Sequence, residues 1–334
     1  VDIDAFVAAH APTWQRLERL VSRARRPRRC SGAELDELVD LYQRTATHLS
    51  VIRTASPDPL LVGKLSSLVA RARGVVAGAR VTSWREVTRF LAVTFPAAVW
   101  RLRYWVLGVA ATFLAIAFAL GIWVASSPSV QGALAPPEAV QDLVRNQFEG
   151  YYHSAPAASF AFRVFTNNVG VAAAAFAFGI LIVPTVVILI QNAAGIGITG
   201  GFMASAGAGP LFFGLVLPHG LLELTAIFVA GAAGLRIGWV VVDPGDRRRR
   251  DALAEEGRAA TAVVIGLVLV FLVAGLTEAF VTPSGLPTWA RVAWGVTIET
   301  AFIVAVVLLG RRAVAAGETG DLLALLRGDR DLTV

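Results

Sequence analysis

Leu217-Pro218-His219-Gly220-Leu221-Leu222-Glu223 sits between two runs far too apolar for a soluble protein. A histidine and a glutamate four residues apart fall on one face of a helix, so the most apolar part of the chain carries two titratable groups stacked together. Function is expected where those groups lie.

Outward from that heptapeptide the sequence reads as a series of membrane spans. Residues 196–217 form one apolar run, loosened by Gly195, Gly197, Gly200, Gly201, Gly207, Gly209 and Pro210, and residues 219–242 form the next. The latter ends at Asp243-Pro244-Gly245 and the run Arg247 to Arg250. Further out lie residues 104–125, residues 169–190 between Asn167-Asn168 and Gln191-Asn192, residues 261–281 and residues 292–309. Each approaches the roughly 20 residues needed to cross about 30 Å of hydrocarbon. The fold class expected is all-α, a polytopic helical membrane protein with about six transmembrane helices.

Composition agrees: 56% of the 334 residues are hydrophobic and 16% charged, outside the range of ordinary globular domains. The single Cys30 lies in an Arg-rich polar segment, which leaves no disulfide framework and no thiolate metal cluster. The formal net charge of +6 comes from arginines that flank apolar segments and do not line an aromatic-studded groove, so no nucleic-acid partner is expected. With six spans, Arg101 and Arg103, Arg247 to Arg250, and Arg311 and Arg312 emerge on one side, which the positive-inside rule makes cytoplasmic, with both termini. A re-entrant third segment would put the four-arginine loop outside unless the fourth also turned back. No charged n-region with a short apolar core opens the sequence, so the first residues are expected to be amphipathic and to stay in the cytoplasm.

Residues 1–82 read as a cytoplasmic module of three amphipathic helices. Trp14, Leu17, Leu20 and Val21 make the first stripe. Ser31 and Glu34 form a capping box before Leu35, Leu38, Val39, Tyr42 and Leu49. After Ser56-Pro57-Asp58-Pro59 a third stripe carries Leu61, Leu65, Leu68 and Val69. Ser83 and Glu86 repeat the capping signature before Trp84, Val87, Leu91 and Phe95, so residues 83–103 are expected to form an amphipathic elbow along the membrane surface, interrupted at Pro96. Residues 104–312 are the transmembrane domain and residues 313–334 a cytoplasmic tail.

Six spans place a set of polar groups in the outer half of the membrane: Asn167, Asn168, His219, Glu223, Glu278, Arg291 and Glu299. A charge at the centre of a transmembrane helix costs about 2.5–3.5 kcal/mol on insertion scales, so three carboxylates facing lipid are not expected. They should converge on a shared interior. The alternative is structural, with Glu299 or Glu278 paired to Arg291 or Arg163, asparagines capping helix ends and His219 bonded locally. Asn192 is the one polar hint near the inner side. Neither a His-Glu-x-x-His helix nor a Gly-x-Ser-x-Gly elbow occurs, so no catalytic residues, cofactor or resident metal are expected. A metal would need Glu278 as third ligand beside His219 and Glu223, because two ligands at i, i+4 do not make a zinc site. Gly195 to Gly200 fits a nucleotide-loop spacing loosely but follows no strand, and its glycines suit close helix packing.

The landmarks Phe95-Pro96, Phe165-Thr166-Asn167-Asn168, Gln191-Asn192, Leu217 to Glu223 and Ala230-Gly231-Ala232-Ala233-Gly234-Leu235 resemble the stage II sporulation protein M family, in its longer actinobacterial-type members. They cover about residues 90 to 312. The resemblance implies an all-helical protein of the bacterial inner membrane. It also implies a non-enzymatic role like that of the name-giving member, the membrane partner that localises cell-wall hydrolases remodelling peptidoglycan during engulfment. On that basis residues 127–162 and the outer loops are the docking surface. The chain departs from the family at Ala193, where Gly is common, and in its N-terminal helical region, which the short sporulation proteins lack.

The expected function is therefore a scaffold that localises partners in a cell-envelope complex, with the bilayer and other membrane or envelope proteins, cell-wall hydrolases among them, as partners. Small-residue surfaces such as Gly231 to Gly234 permit a homo-oligomer. The alternative is a transporter or channel that uses the outer-leaflet cavity for a cation, proton or lipid head group.

Overall fold

A computed structural model of the protein describes residues 3–24, 32–55, 58–76, 84–151 and 157–322, and among them every regular element is helical. The chain divides into two compact units, Val1–Trp84 and Arg85–Val334.

The first unit holds α1 (Ile3–Ala24), α2 (Gly32–Ala55) and α3 (Pro59–Val76). Their apolar residues recur every three or four positions, and the stripes meet in one core of Leu17, Leu20, Val21, Leu38, Leu49, Ile52, Leu65, Leu68 and Ala72. Val39, expected on the buried stripe of α2, faces solvent, and Leu41 is buried instead. At the start of α3 Asp58 accepts a hydrogen bond from the Leu60 amide (3.0 Å) and Pro59 takes the first helical position, where its missing N–H costs nothing. The rim carries the ion pairs Arg16–Glu37 (2.7 Å) and Arg71–Glu18 (3.0 Å). Cys30, Ser31, the Ser56-Pro57 break and Ser83 lie outside the described residues.

The second unit begins with α4 (Trp84–Arg89), a π-helical turn over Phe90–Thr94, and α5 (Phe95–Arg101). There follow α6 (Arg103–Ser126), the short helices α7 (Pro128–Leu134), α8 (Pro137–Asp142) and α9 (Phe148–Tyr151), and α10 (Ala157–Ala177) with a 3-10 turn to Leu181. Then come α11 (Val183–Ser205), α12 (Gly209–Val242), α13 (Arg249–Leu276) with a π-helical turn over Thr277–Val281, and α14 (Thr288–Ala315). Among the described residues five helices are long and apolar enough to cross a membrane: Arg103–Ser126, Val183–Ser205, Gly209–Val242, Arg249–Val281 and Thr288–Ala315; the apolar helix Phe165–Leu181 is shorter.

Two of the expected spans are redistributed. Residues 169–190 are not one helix, because the chain turns at Ile182 (φ 57°) and restarts with Pro184 in the first turn of α11. Residues 196–217 are likewise split at Ala206-Gly207-Ala208, where Gly207 adopts φ 74°. Glycine takes that left-handed conformation without a Cβ clash. Nor is the elbow interrupted at Pro96. The π turn just before it accommodates the missing N–H, and the helix continues with Phe95 to Val99 buried.

Glycines let the helices approach to backbone contact and reveal their directions. A Cβ on Gly197 would lie 2.4 Å from the Ala117 carbonyl oxygen and one on Gly201 2.7 Å from Val124 Cβ, so α11 runs parallel to α6. Gly179 abuts Gly234, and Gly295 abuts the Leu217 and Pro218 carbonyls. Phe113 packs edge-on to Phe228, and Trp105 lies near Trp239, which sets α12 antiparallel to α6. α5 wedges in through Phe95 against Gly266 and Pro96 against Gly310. The start of α6, the end of α12 and the start of α13 thus meet at one arginine-rich end. Glu255 and Glu256 there gather Arg101, Arg236 and Arg247.

Candidate functional site

Pro218 sits inside α12, where it removes one backbone donor. The neighbouring helix can press against the backbone at that level because α14 offers Gly295 there. His219 follows directly and is buried, and Glu223 lies one turn on along the same face.

Facing them is the π turn that ends α13. Its i→i+5 hydrogen bond, Thr282 N to Thr277 O (3.0 Å), keeps Glu278 and Thr282 on one side, toward α12. Thr282 Oγ1 lies 3.1 Å from His219 Nδ1 and 3.4 Å from the Thr277 carbonyl oxygen. Glu278 is only 3% exposed, its Oε2 lies 3.9 Å from His219 Nε2, and that oxygen has no hydrogen-bond partner. The ligand atoms of His219, Glu223 and Glu278 lie within 4.8 Å of one another. From α10 the Asn168 side chain hydrogen-bonds Glu223. Among the described residues, no arginine or lysine stands within ion-pair distance of either carboxylate.

The structure brings together Asn168, His219, Glu223 and Glu278, and sets the other expected members apart. Arg291 donates through Nη1 to the Thr282 carbonyl and through Nη2 to Thr288 Oγ1 (3.1 Å), so it clasps the α13–α14 connection and meets the cluster only through Thr282. Glu299 accepts a hydrogen bond from Thr225 Oγ1 (2.7 Å). Thr225 is two residues past Glu223, about 200° around the helix, so Glu299 belongs to the opposite flank of α12 and the three carboxylates do not converge. Asn167 is exposed and donates to Asn168 Oδ1 (3.4 Å). Asn192 donates through Nδ2 to the Ile188 carbonyl of its own helix (2.9 Å).

His219 and Glu223 precede Arg236 by seventeen and thirteen residues on one helix, roughly 25 and 20 Å at 1.5 Å per residue. The cluster therefore lies in the half of the apolar layer remote from the arginines. Between the two levels the core is hydrocarbon: Ala226, Ala230 and Ala233 of α12 face Val263, Leu267, Val270 and Ala274 of α13.

Sequence reasoning missed Thr282 and Thr225, which carry the polar contacts of His219 and Glu299, and missed the Arg236–Glu256 pair (3.1 Å) at the other end. Threonine in an apolar run is too common to stand out. Arg236 and Glu256 were legible only as charges near the ends of long apolar runs.

A family model described as stage II sporulation protein M matches residues 110–283, more than half of the 334 residues. A second, described as a domain of unknown function (DUF8413), matches residues 4–78. Neither a curated protein nor a solved structure matches the chain.

Proposed function

The chain belongs to the stage II sporulation protein M family, and from that premise we propose that it is a non-enzymatic integral membrane scaffold that localises partners in a cell-envelope complex of the peptidoglycan-remodelling type. Its place is the bacterial cytoplasmic membrane, with the arginine-rich end and both termini in the cytoplasm. The observation that carries this reading is the apolar layer between the polar cluster and the arginine-rich end, built of Ala226, Ala230, Ala233, Val263, Leu267 and Val270. A transporter needs polar access from both sides, and Asn192, the one expected inner-side group, is spent on its own helix. The rival transporter reading draws on buried Glu278 and half-buried Glu223, which could bind a cation or proton.

In the scaffold the short helices α7, α8 and α9 form the docking surface at the far end. They carry no buried side chains in α7 and α8 and are anchored by Phe148 stacked on Phe212 (5.5 Å). The first unit supplies a second, cytoplasmic interaction module. In-cell cross-linking followed by recovery from native membranes, compared with an unrelated polytopic protein of equal abundance, tests this reading. Enrichment of cell-wall hydrolases or other envelope enzymes, lost when residues 128–147 are replaced by a polar linker, is the expected result. Recovery of the chain alone would contradict it.

A further inference from the structure

We propose that His219, Glu223 and Glu278 bind a divalent transition-metal ion, with zinc the best match. The proposal is independent of which partners the scaffold serves.

The hydroxyl of Thr282 points to one tautomer of the histidine. A carbonyl oxygen can only accept, so Thr282 Oγ1 donates to the Thr277 carbonyl (3.4 Å) and accepts from His219 Nδ1 (3.1 Å). The proton on Nδ1 leaves Nε2 as the electron-pair nitrogen. Nε2 is the atom that faces Glu278 Oε2 at 3.9 Å. Two electron-pair donors thus point at one another in a buried site, and the carboxylate oxygen is without a hydrogen-bond partner. A cation between them gives the Glu278 oxygen the partner it lacks and takes a coordinate bond from the imidazole lone pair. Metal-bound histidines commonly hold their second nitrogen in this way.

Charge gives the second reason. A buried and a half-buried carboxylate with no lysine or arginine in ion-pair distance among the described residues are expensive in an apolar helix bundle. A divalent ion neutralises both, and the hydrogen bond from Asn168 holds Glu223 in place.

Spacing and donor type select the metal. Tetrahedral zinc with bonds of about 2.0–2.1 Å sets its ligands roughly 3.4 Å apart. The three ligand atoms here lie within 4.8 Å, so small torsional changes in two glutamate side chains close the triangle. One imidazole and two carboxylates suit zinc, whereas calcium and magnesium prefer six or more oxygen ligands. Three protein ligands leave a fourth position for water or for a group from a partner.

The test uses the full chain, purified without a polyhistidine tag into lipid nanodiscs, stripped with a chelator and titrated with Zn2+ or Mg2+. Bound metal is read by elemental analysis and thermal stability by the unfolding midpoint. The expected result is about one tightly held zinc per chain, with a higher unfolding midpoint in zinc and none of this in magnesium. His219→Ala and Glu278→Gln should lose the zinc, Glu299→Gln should keep it, and Thr282→Val should weaken it about 10–100-fold. If Glu278→Gln does not give a monodisperse protein, the Glu223→Gln and Thr282→Val affinities decide. No zinc bound by the unaltered chain, or equal uptake by every variant, overturns the proposal.

Discussion

His219 on α12 and Thr282 at the end of α13 meet at 3.1 Å, Nδ1 to Oγ1, although sixty-three positions separate them in sequence. The contact couples the first third of α12 to the turn that closes its neighbour. It also orients the imidazole toward the two carboxylates.

Replacing Thr282 with valine keeps the shape and deletes the hydroxyl, leaving His219 Nδ1 buried without its threonine. The expected cost is about 1–3 kcal/mol, whereas Thr282→Ser should stay close to the parent. Denaturant unfolding of the full chain in micelles measures both. Equal stability of the valine and serine variants would sink the assignment of that hydrogen bond.

Backbone contact between α6 and α11 depends on Gly197, where an added Cβ would lie 2.4 Å from the Ala117 carbonyl oxygen. Gly197→Ala should therefore destabilise by about 1–3 kcal/mol through overpacking. Gly108 is on α6 with open space around it, and Gly108→Ala should be neutral or stabilising by up to about 1 kcal/mol. Thermal melting of the two variants side by side checks the direction of each.

At the arginine-rich end Glu256 is 6% exposed and has Arg101, Arg236 and Arg247 at 3.7, 3.1 and 3.5 Å. Glu256→Gln keeps the volume and removes the charge, which should cost about 1–3 kcal/mol. Asp251, with an exposed carboxylate near Arg250, serves as control, and Asp251→Asn should change stability by less than about 0.5 kcal/mol. The ratio of the two losses, read from denaturant midpoints, tests whether the network joins α12 to α13.

In the first unit His48 accepts a hydrogen bond from Trp14 Nε1 (3.2 Å) and stacks near His10 (ring centroids 4.0 Å apart). Burial, then the neighbouring His10 and Arg44 charges, hold its pKa below the ordinary value. The unfolded chain thus takes up the proton first as pH falls. The stability held by neutral His48 is complete above about pH 6.5 and declines below it, toward the depressed folded value. Amide exchange of residues 5–20 and 41–53 should quicken between about pH 6.5 and 5 after correction for intrinsic rates, and His48→Gln should flatten that response. Unchanged protection in both would contradict it.

The part of the site legible in the sequence is the part written in local spacing. His219 and Glu223 share a face because they are one turn apart, and Asn168 stood out as a polar residue entering an apolar run. The partners across the interface were less accessible. Whether Glu299 meets Glu223 or Thr225 depends on which flank of α12 faces α14, and Gly295 decides that by packing on Leu217 and Pro218. The π turn at Thr277–Val281 shifts the phase of Glu278 with no mark in composition.

The apolar class and all-helical architecture followed from composition, but the breaks within it did not. A helix apolar on every side has no hydrophobic period, so the turn at Ile182 was hidden inside what read as one span. Pro184 was the available signal, since proline favours the first turn of a helix. Gly207 marked the second turn and was instead grouped with the packing glycines around it.

The proposed scaffold role requires the polar cluster to be closed toward the arginine-rich end. Flux into proteoliposomes under an imposed pH or cation gradient tests this, with a dye for H+ and an isotope for Na+. Uptake equal to that of empty vesicles is expected for the unaltered chain and for Glu223→Gln alike. Gradient-driven uptake by the unaltered chain that Glu223→Gln or Glu278→Gln abolishes would contradict it and establish a transporter.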